Sequence, residues 1–325
     1  MHTVITGGAG FIGSHLADYL LADGDRVTVL DDFSTGNPAN LAEANKSPWF
    51  RLIEGSVLDQ KMVTRAIYSA DRVFHLAAAV GVRRIIEEPL RSLRVNLHGT
   101  ENVLEATLAA QASLVLTSTS EVYGKNTSNA LNEQSDCVYG NPLISRWSYA
   151  TAKGIDEAFA HAYWREYGLR VAIVRLFNTV GPRQTGRYGM VVPNLVGQAL
   201  RNEALTVFGD GKQTRCFSYV GDIVPSLVTL STTPKAYGQA VNLGGAQEIS
   251  ILNLASRIID MTNSRSVIQL VPYERAYGEG YEDMRRRVPD NSKACKLLGF
   301  EPATGIADII KIVAEGLRED VDVPA

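Results

Sequence analysis

Tyr149 and Lys153 stand four residues apart in a stretch, residues 149–167, whose pattern reads as helix. That spacing puts both side chains on one face, about one turn apart. An ammonium beside a phenol favours the phenolate, and a tyrosine shifted in that way is a usable general base near neutral pH. Tyr-x-x-x-Lys alone is common on helix surfaces; its weight here comes from what precedes it. The run Thr117-Ser118-Thr119-Ser120-Glu121-Val122-Tyr123-Gly124 puts hydroxyls and a carboxylate at the end of an apolar segment. In a parallel sheet that is where a substrate lies. The same serines and threonines could instead satisfy strand-end backbone groups.

A second constellation sits at the start of the chain, where an apolar run leads straight into Gly7-Gly8-Ala9-Gly10-Phe11-Ile12-Gly13. Gly7 permits a tight turn, Gly10 lets the backbone approach a pyrophosphate, and Gly13 lets a helix pack close to the sheet. The opening residues of that helix, Phe11 and Ile12 among them, offer backbone N–H groups and a positive dipole end to phosphates. The next apolar run ends at Asp31-Asp32. An acid there can accept the ribose hydroxyls of a dinucleotide and repels a 2′-phosphate, so NAD is favoured over NADP. Asp31 could also, or instead, cap the following turn. Asp59 could reach the adenine or serve as the N-cap of a helix starting near residue 60.

These residues need a scaffold that gathers them. Short apolar runs at 2–6, 26–30, 49–53, 72–76, 113–117 and 170–176 read as buried parallel strands. Helix-like stretches at 12–21, 89–110 and 149–167 lie between them. The alternation predicts an α/β fold, a Rossmann-type doubly wound parallel sheet with right-handed crossovers. After Asn178 the pattern weakens, with a loop at 181–189, a turn at 209–212, an apolar run at 216–220 and helices near 251–261 and 292–298. We expect a large domain of residues 1–178 plus about 216–246. A smaller C-terminal substrate-binding lobe would take about 179–215 plus 247–319, leaving a polar tail at 320–325.

Composition narrows the function. The 325 residues carry 32 Lys and Arg against 35 Asp and Glu, a net charge of -3, which disfavours a nucleic-acid partner. No apolar run approaches the roughly 20 residues of a membrane span, and no signal peptide precedes the first strand-like run. Cys137, Cys216 and Cys295 are odd in number and far apart. That offers neither a disulfide framework nor metal-ligand spacing, so no metal is expected and a reducing cytoplasm suits the chain.

Together the glycine turn, the hydroxyl run, Tyr149/Lys153, Arg175-Leu176-Phe177-Asn178, Gly181-Pro182-Arg183 and the late Lys293-Ala294 with Leu298-Gly299-Phe300 follow a known order. The chain resembles the extended short-chain dehydrogenases/reductases of the nucleotide-sugar epimerase, dehydratase and decarboxylase superfamily, over nearly its whole length. The resemblance implies that Tyr149 takes the proton of a sugar 4-hydroxyl, with Thr119 hydrogen-bonding the same oxygen. Lys153 would also hold the cofactor, and C4 would be oxidised to a bound 4-keto sugar. It implies Asn178 near the diphosphate, Thr206 and Val207 on a strand whose backbone receives the base, and Arg215 on phosphate, with UDP as the nucleotide. It also implies a homodimer made by packing about 90–110 and 149–167 of each copy into a four-helix bundle.

The branch is read from Thr119-Ser120-Glu121. dTDP-glucose 4,6-dehydratases have Asp where this chain has Ser120, and simple 4-epimerases usually lack an acid at Glu121. The triplet, which GDP-mannose 4,6-dehydratases can also carry, resembles with Arg287 in Arg285-Arg286-Arg287-Val288-Pro289-Asp290 the UDP-glucuronate decarboxylases (UDP-xylose synthases), where the arginine could hold a sugar carboxylate; the run could equally be exposed or clamp a diphosphate. Ala79-Val80-Gly81-Val82-Arg83-Arg84 departs from their Ser/Pro-rich loop. Arg83, Arg84, Arg183 and Arg187 are further candidates for the carboxylate, or for phosphate or solvent. The expectation is an NAD-dependent UDP-glucuronate decarboxylase. The alternatives are a UDP-glucose or UDP-glucuronate 4-epimerase, then a 4,6-dehydratase, and, in a different class, a non-catalytic NAD-binding regulator.

Overall fold

A computed structural model describes residues 1–81, 85, 87–144, 147–186, 189–277 and 282–322. Its centre is a seven-stranded sheet of β1 (His2–Thr6), β2 (Arg26–Asp31), β3 (Phe50–Glu54), β4 (Arg72–His75), β5 (Ser113–Thr119), β6 (Val171–Leu176) and, much later, β11 (Ala240–Leu243). The spatial order is β11-β6-β5-β4-β1-β2-β3, and every neighbouring pair is parallel. The strands are short Val/Ile/Leu-rich runs because both faces of the sheet are covered. Successive residues point to opposite faces. Ile5, Val27 and Val29 pack with α1 (Phe11–Ala22), whereas Val4 and Leu30 pack with α2 (Gln60–Ile67) and α3 (Pro89–Ala109). α4 (Ser148–Tyr167) lies against α3 on that second face, and Gly168, left-handed at φ 70°, ends it.

β1 is flanked by both β2 and β4, so the strand order reverses there, the switch point at which open α/β sheets bind ligands. A cleft of about 2310 Å³ opens over the carboxyl ends of the strands. Its walls include Gly7 after β1, Asp31 ending β2, Gly55 after β3, Ala77 after β4, Thr119 ending β5 and Asn178 after β6. A single small-molecule site usually takes about 300–1,000 Å³, so this cleft has room for two large ligands.

Beyond β6 come β7 (Thr179–Val180), α5 (Val191–Leu200), β8 (Leu205–Phe208), β9 (Thr214–Cys216), β10 (Ser218–Tyr219) and α6 (Val220–Ser231). After β11 follow β12 (Glu248–Ser250), α7 (Ile251–Thr262), β13 (Ile268–Val271), α8 (Tyr273–Tyr277), β14 (Arg286–Arg287), α9 (Ser292–Leu298) and α10 (Ile306–Asp322). α6 packs with α1 on the large sheet, burying Ile223, Val224 and Leu227 in the same core. A separate core joins α5, α7, α10 and β8 through Leu195, Val196, Val207, Leu254, Ile258, Ile309 and Ile310.

Two expectations need correction. The apolar run at 216–220 is not one element: it holds the end of β9, then β10, then the first residue of α6. The polar tail begins later than expected, because α10 runs on to Asp322. Among the described residues no helix is long and apolar enough to cross a membrane.

Candidate active site

The cofactor end is held together by backbone. Gly7 adopts φ 73°, and a Cβ on it would stand 2.6 Å from Ala77 N, so neither conformation nor space admits another residue. A Cβ on Gly13 would lie 2.3 Å from Gly7 O, which fixes the close helix–turn approach. At Gly10 such a Cβ would meet only Gly7 O, at 3.2 Å, leaving the face above the turn open. Gly10 is the N-cap of α1 and no side chain caps it. The first N–H groups of the helix, at Phe11 and Ile12, therefore face the cleft without an intrahelical partner. That open cradle fits a pyrophosphate.

Asp31 caps the turn that follows β2. Its Oδ2 accepts Ala9 N and its Oδ1 accepts Phe33 N, each at 2.8 Å, so it ties the glycine turn to the loop after β2. It also lines the cleft. Burial pushes its carboxyl up, against the two backbone N–H bonds that pull it down. Asp59 is not brought to this site. Its carboxylate accepts Met62 N at 3.1 Å as the N-cap of α2, and it does not line the cleft.

At the other end, Thr119, Glu121, Tyr149 and Lys153 line one stretch of the same cleft. β5 brings the hydroxyl run to the strand ends, and α4 brings Tyr149 and Lys153. Thr119 Oγ1 accepts Glu121 N at 3.2 Å, capping the short turn that follows β5. Lys153 is 1% exposed and donates to Asp156 Oδ2 at 3.1 Å. Ser118 differs from its neighbours: it donates to Glu157 at 2.5 Å, and Arg175 donates to the same carboxylate at 2.6 Å. Arg175 also donates to Tyr123 Oη at 2.9 Å. Burial works against the charge of Arg175, but Glu157 outweighs it and the guanidinium is held above its ordinary pKa. Burial pushes the Tyr123 phenol up to about 12.

Arg287 reaches this place from the far side. β14 pairs in parallel with β9, setting Arg287 beside Arg215. Arg287 Nη1 lies 3.4 Å from Glu121 Oε1 and 3.3 Å from Ser120 Oγ, although 166 residues separate it from Glu121. Arg215, 5% exposed, donates to Asp283 Oδ2 at 2.9 Å, and Tyr273 Oη donates to the same oxygen at 3.2 Å.

Asn178 and Thr206 also line the cleft. Asn178 donates to Cys216 O at 2.8 Å. Thr206 is clamped by Gln198, whose amide accepts Thr206 N and donates to Thr206 Oγ1, both at 3.0 Å. Val207 is placed differently: its side chain is fully buried in the core of α5, α7 and α10. Arg187 lies outside the described residues, as do Arg83 and Arg84. Asp156, Gln198 and Asp283 were missed from sequence, although Asp156 stands three residues after Lys153 and Gln198 eight before Thr206. Among the described residues no cluster of His, Cys, Asp and Glu suits a metal ion.

Comparison with known proteins gives the family. The family described as GDP-mannose 4,6 dehydratase matches over residues 4–313. A UDP-N-acetyl-α-D-glucosaminuronate decarboxylase of Bacillus cytotoxicus is 39% identical over 317 residues, 97% of either chain. UDP-glucuronic acid decarboxylase 1 of Danio rerio is 39% identical over 307 residues, 94% of this chain and 70% of that one. Among solved structures, a UDP-glucuronic acid 4-epimerase from Bacillus cereus, in complex with UDP-glucuronic acid and NAD, superposes with a TM-score of 0.88. It is 29% identical and covers 98% of this chain and 99% of its own. This chain therefore belongs to the GDP-mannose 4,6 dehydratase family, within the nucleotide-sugar branch of the extended short-chain dehydrogenases/reductases.

Proposed function

We propose that the protein is an NAD-dependent decarboxylase that converts UDP-glucuronate to UDP-xylose. The observation that carries this reading is the meeting of Arg287 with Glu121 in the cleft lined by Tyr149 and Thr119. A guanidinium at 3.4 Å from one carboxylate can hold a second, that of the sugar, beside the reacting carbon. Ser120, where the dTDP-glucose dehydratases carry an acid, instead accepts from Arg287 and brings no carboxylic acid to protonate a leaving hydroxyl. The decarboxylase relatives support the same branch.

NAD fits the residues present: Gly7, Gly10, Phe11, Ile12 and Gly13 would hold its pyrophosphate, Asp31 its ribose, and Lys153 its nicotinamide half. When bound, it takes the hydride from C4 of the sugar and later returns it. Tyr149 takes the proton of the 4-hydroxyl, Thr119 hydrogen-bonds that oxygen, and Lys153 supplies positive charge beneath. Once C4 is a ketone, the sugar carboxylate is β to it. The C5–C6 bond breaks, carbon dioxide leaves, and the electron pair passes to the C4 oxygen as an enolate. A proton then adds at C5, and Tyr149 returns its proton to the C4 oxygen on re-reduction. The sum is one proton consumed and one carbon dioxide released.

Asn178, Thr206 and Arg215 would hold the UDP, with Arg187 and the backbone at Val207 completing that subsite. Residues 1–178 with about 216–246 would form the NAD domain and about 179–215 with 247–319 the sugar lobe. The reading includes a cytoplasmic setting, supported by three unbridged cysteines. It also includes a homodimer through α3 and α4, and light scattering showing only a monomer would contradict that part.

A second substrate, the 2-acetamido uronate, is favoured by the Bacillus cytotoxicus relative and by the apolar Ala78 and Val80 in the cleft wall. Both nucleotide sugars should be incubated with the enzyme and NAD, and the products weighed by mass spectrometry. Loss of one carbon dioxide is expected. An unchanged mass with a new chromatographic peak would mean 4-epimerisation, and loss of water a dehydratase; either would end the decarboxylase reading.

A further inference from the structure

α4 carries a third charged group on the face that holds the base and its lysine. Tyr149, Lys153 and Asp156 are spaced four and then three apart, so they follow one side of the helix. Lys153 reaches the cleft wall, while Asp156 lies behind it with no exposed surface, their charged atoms 3.1 Å apart. The mechanism above gives Asp156 no task. We propose that Asp156 is a positioning residue for the base, a buried counter-ion that fixes Lys153 and sets the pH at which Tyr149 works. This rests on the reading of Tyr149 as the general base.

The surroundings leave that role to Asp156. On α4 itself, Glu157 is committed to Arg175 of β6 and Ser118 of β5. From α3, Thr100 presents its hydroxyl to Asp156. Thr100 Oγ1 is 3.1 Å from His75 Nε2, and His75 Nδ1 is 2.7 Å from Thr6 Oγ1. Thr6, His75 and Thr100 are fully buried. His75 of β4 is neutral near neutral pH, pushed down to about 3 by burial and by the charge of Lys153. Glu101, also on α3, is close to half exposed and faces His98. A buried polar chain thus runs from Thr6 of β1 through His75 and Thr100 to the Asp156–Lys153 pair, where burial pushes the Asp156 carboxyl up and Lys153 and Thr100 pull it down.

The electrostatic consequence has a definite sign. A lone ammonium favours the phenolate strongly, whereas an ammonium paired with a carboxylate acts on a third group as a dipole and favours it less. Asp156 therefore screens Lys153. It also keeps a buried ammonium compensated before any cofactor arrives, which a lysine in a dry site requires. Removing the carboxylate's charge while keeping its shape unmasks the ammonium and lowers the pH at which Tyr149 ionises.

The test is the pH profile of kcat/KM with UDP-glucuronate at saturating NAD, for the wild type, Asp156→Asn and Asp156→Glu. The acid limb reports the base in the free enzyme. It should fall by roughly one pH unit in Asp156→Asn and stay at the wild-type position in Asp156→Glu. A merely structural role would lower the rate at every pH and leave the limb in place; an unmoved or raised limb overturns the proposal. Should Asp156→Asn not fold, the double variant Lys153→Met/Asp156→Asn removes both charges. Tyrosinate absorbance, read against a Tyr149→Phe control, should then put Tyr149 within about half a unit of the wild type. A rise of more than about one unit would show Lys153 acting unscreened and also overturns it. Tyr149→Phe separates the two ideas. If it keeps turnover, the base is wrong; if it is inert while the limb does not move in Asp156→Asn, only the role of Asp156 falls.

Discussion

The wall of the cleft at the cofactor end is made of neighbours in the chain. Gly7 N donates to Leu30 O at 2.8 Å, Ala9 N to Asp31 at 2.8 Å and Asn37 N to Ala9 O at 3.0 Å. The β1–α1–β2 unit and the loop that follows it make all three of these bonds. The wall at the sugar end is held by charges that meet across long separations: Glu121 with Arg287 and Arg215 with Asp283 line it, and the Glu157–Arg175 pair lies behind Ser118. Backbone geometry defines the first end and tolerates little substitution at its glycines. Side-chain ion pairs define the second. A change of one charge there can alter which sugar is held without touching the cofactor, which is how one fold hosts several reactions.

The contrast predicts where damage should be largest. Arg175→Met removes the guanidinium that holds Glu157 and Tyr123, leaving a buried carboxylate with Ser118 as its remaining bonded partner among those described. Breaking one side of such a pair costs about 3–5 kcal/mol. We expect that loss in urea denaturation, with partial recovery when Glu157→Gln is added, since the pair acts as a unit. If the single variant lost under about 1 kcal/mol, the sugar end would not be held by its ion pairs in the way described.

Gly7→Ala should come next. A side chain at φ 73° costs about 1–2 kcal/mol, and crowding against Ala77 adds to it, for roughly 3 kcal/mol in all. The specific sign is in binding: NAD affinity measured by calorimetry should collapse while affinity for UDP falls far less. Equal losses for both ligands would mean that the two ends are not separable.

The same contrast explains what could be read from the sequence. The glycine turn, Asp31 and the Tyr149/Lys153 pair were legible because each is a short-range pattern tied to one element. β1 and α9 even fall at their expected limits. Arg287 was named through resemblance, but nothing in the chain says that it meets Glu121; that depends on β14 pairing with β9. Asp156 reads as one more acid on an amphipathic helix until α3 covers it. Thr206 and Val207 are adjacent, yet strand alternation sends one side chain to the cleft and the other to the core. The end of the chain misled for a related reason: the acidic residues near 320 read as tail, although the apolar face of α10 begins well before them and carries the helix through.

The smallest effect tests the boundary of the cofactor end. Asp59 is close in sequence to Gly55 and Val57, which line the cleft, but its carboxylate is turned to the N-terminus of α2, where it accepts Met62 N. An N-cap aspartate replaced by alanine loses about 1 kcal/mol because one helix N–H is left without its acceptor. Asp59→Ala should therefore lower the denaturation midpoint slightly and leave NAD affinity and turnover at wild-type values. Asp59→Asn, which keeps an accepting oxygen, should recover most of the stability. A several-fold loss of NAD affinity in Asp59→Ala, unrepaired by Asp59→Asn, would show that the carboxylate reaches the adenine after all, and the cofactor end would then extend past the β–turn–α–β unit into the third strand.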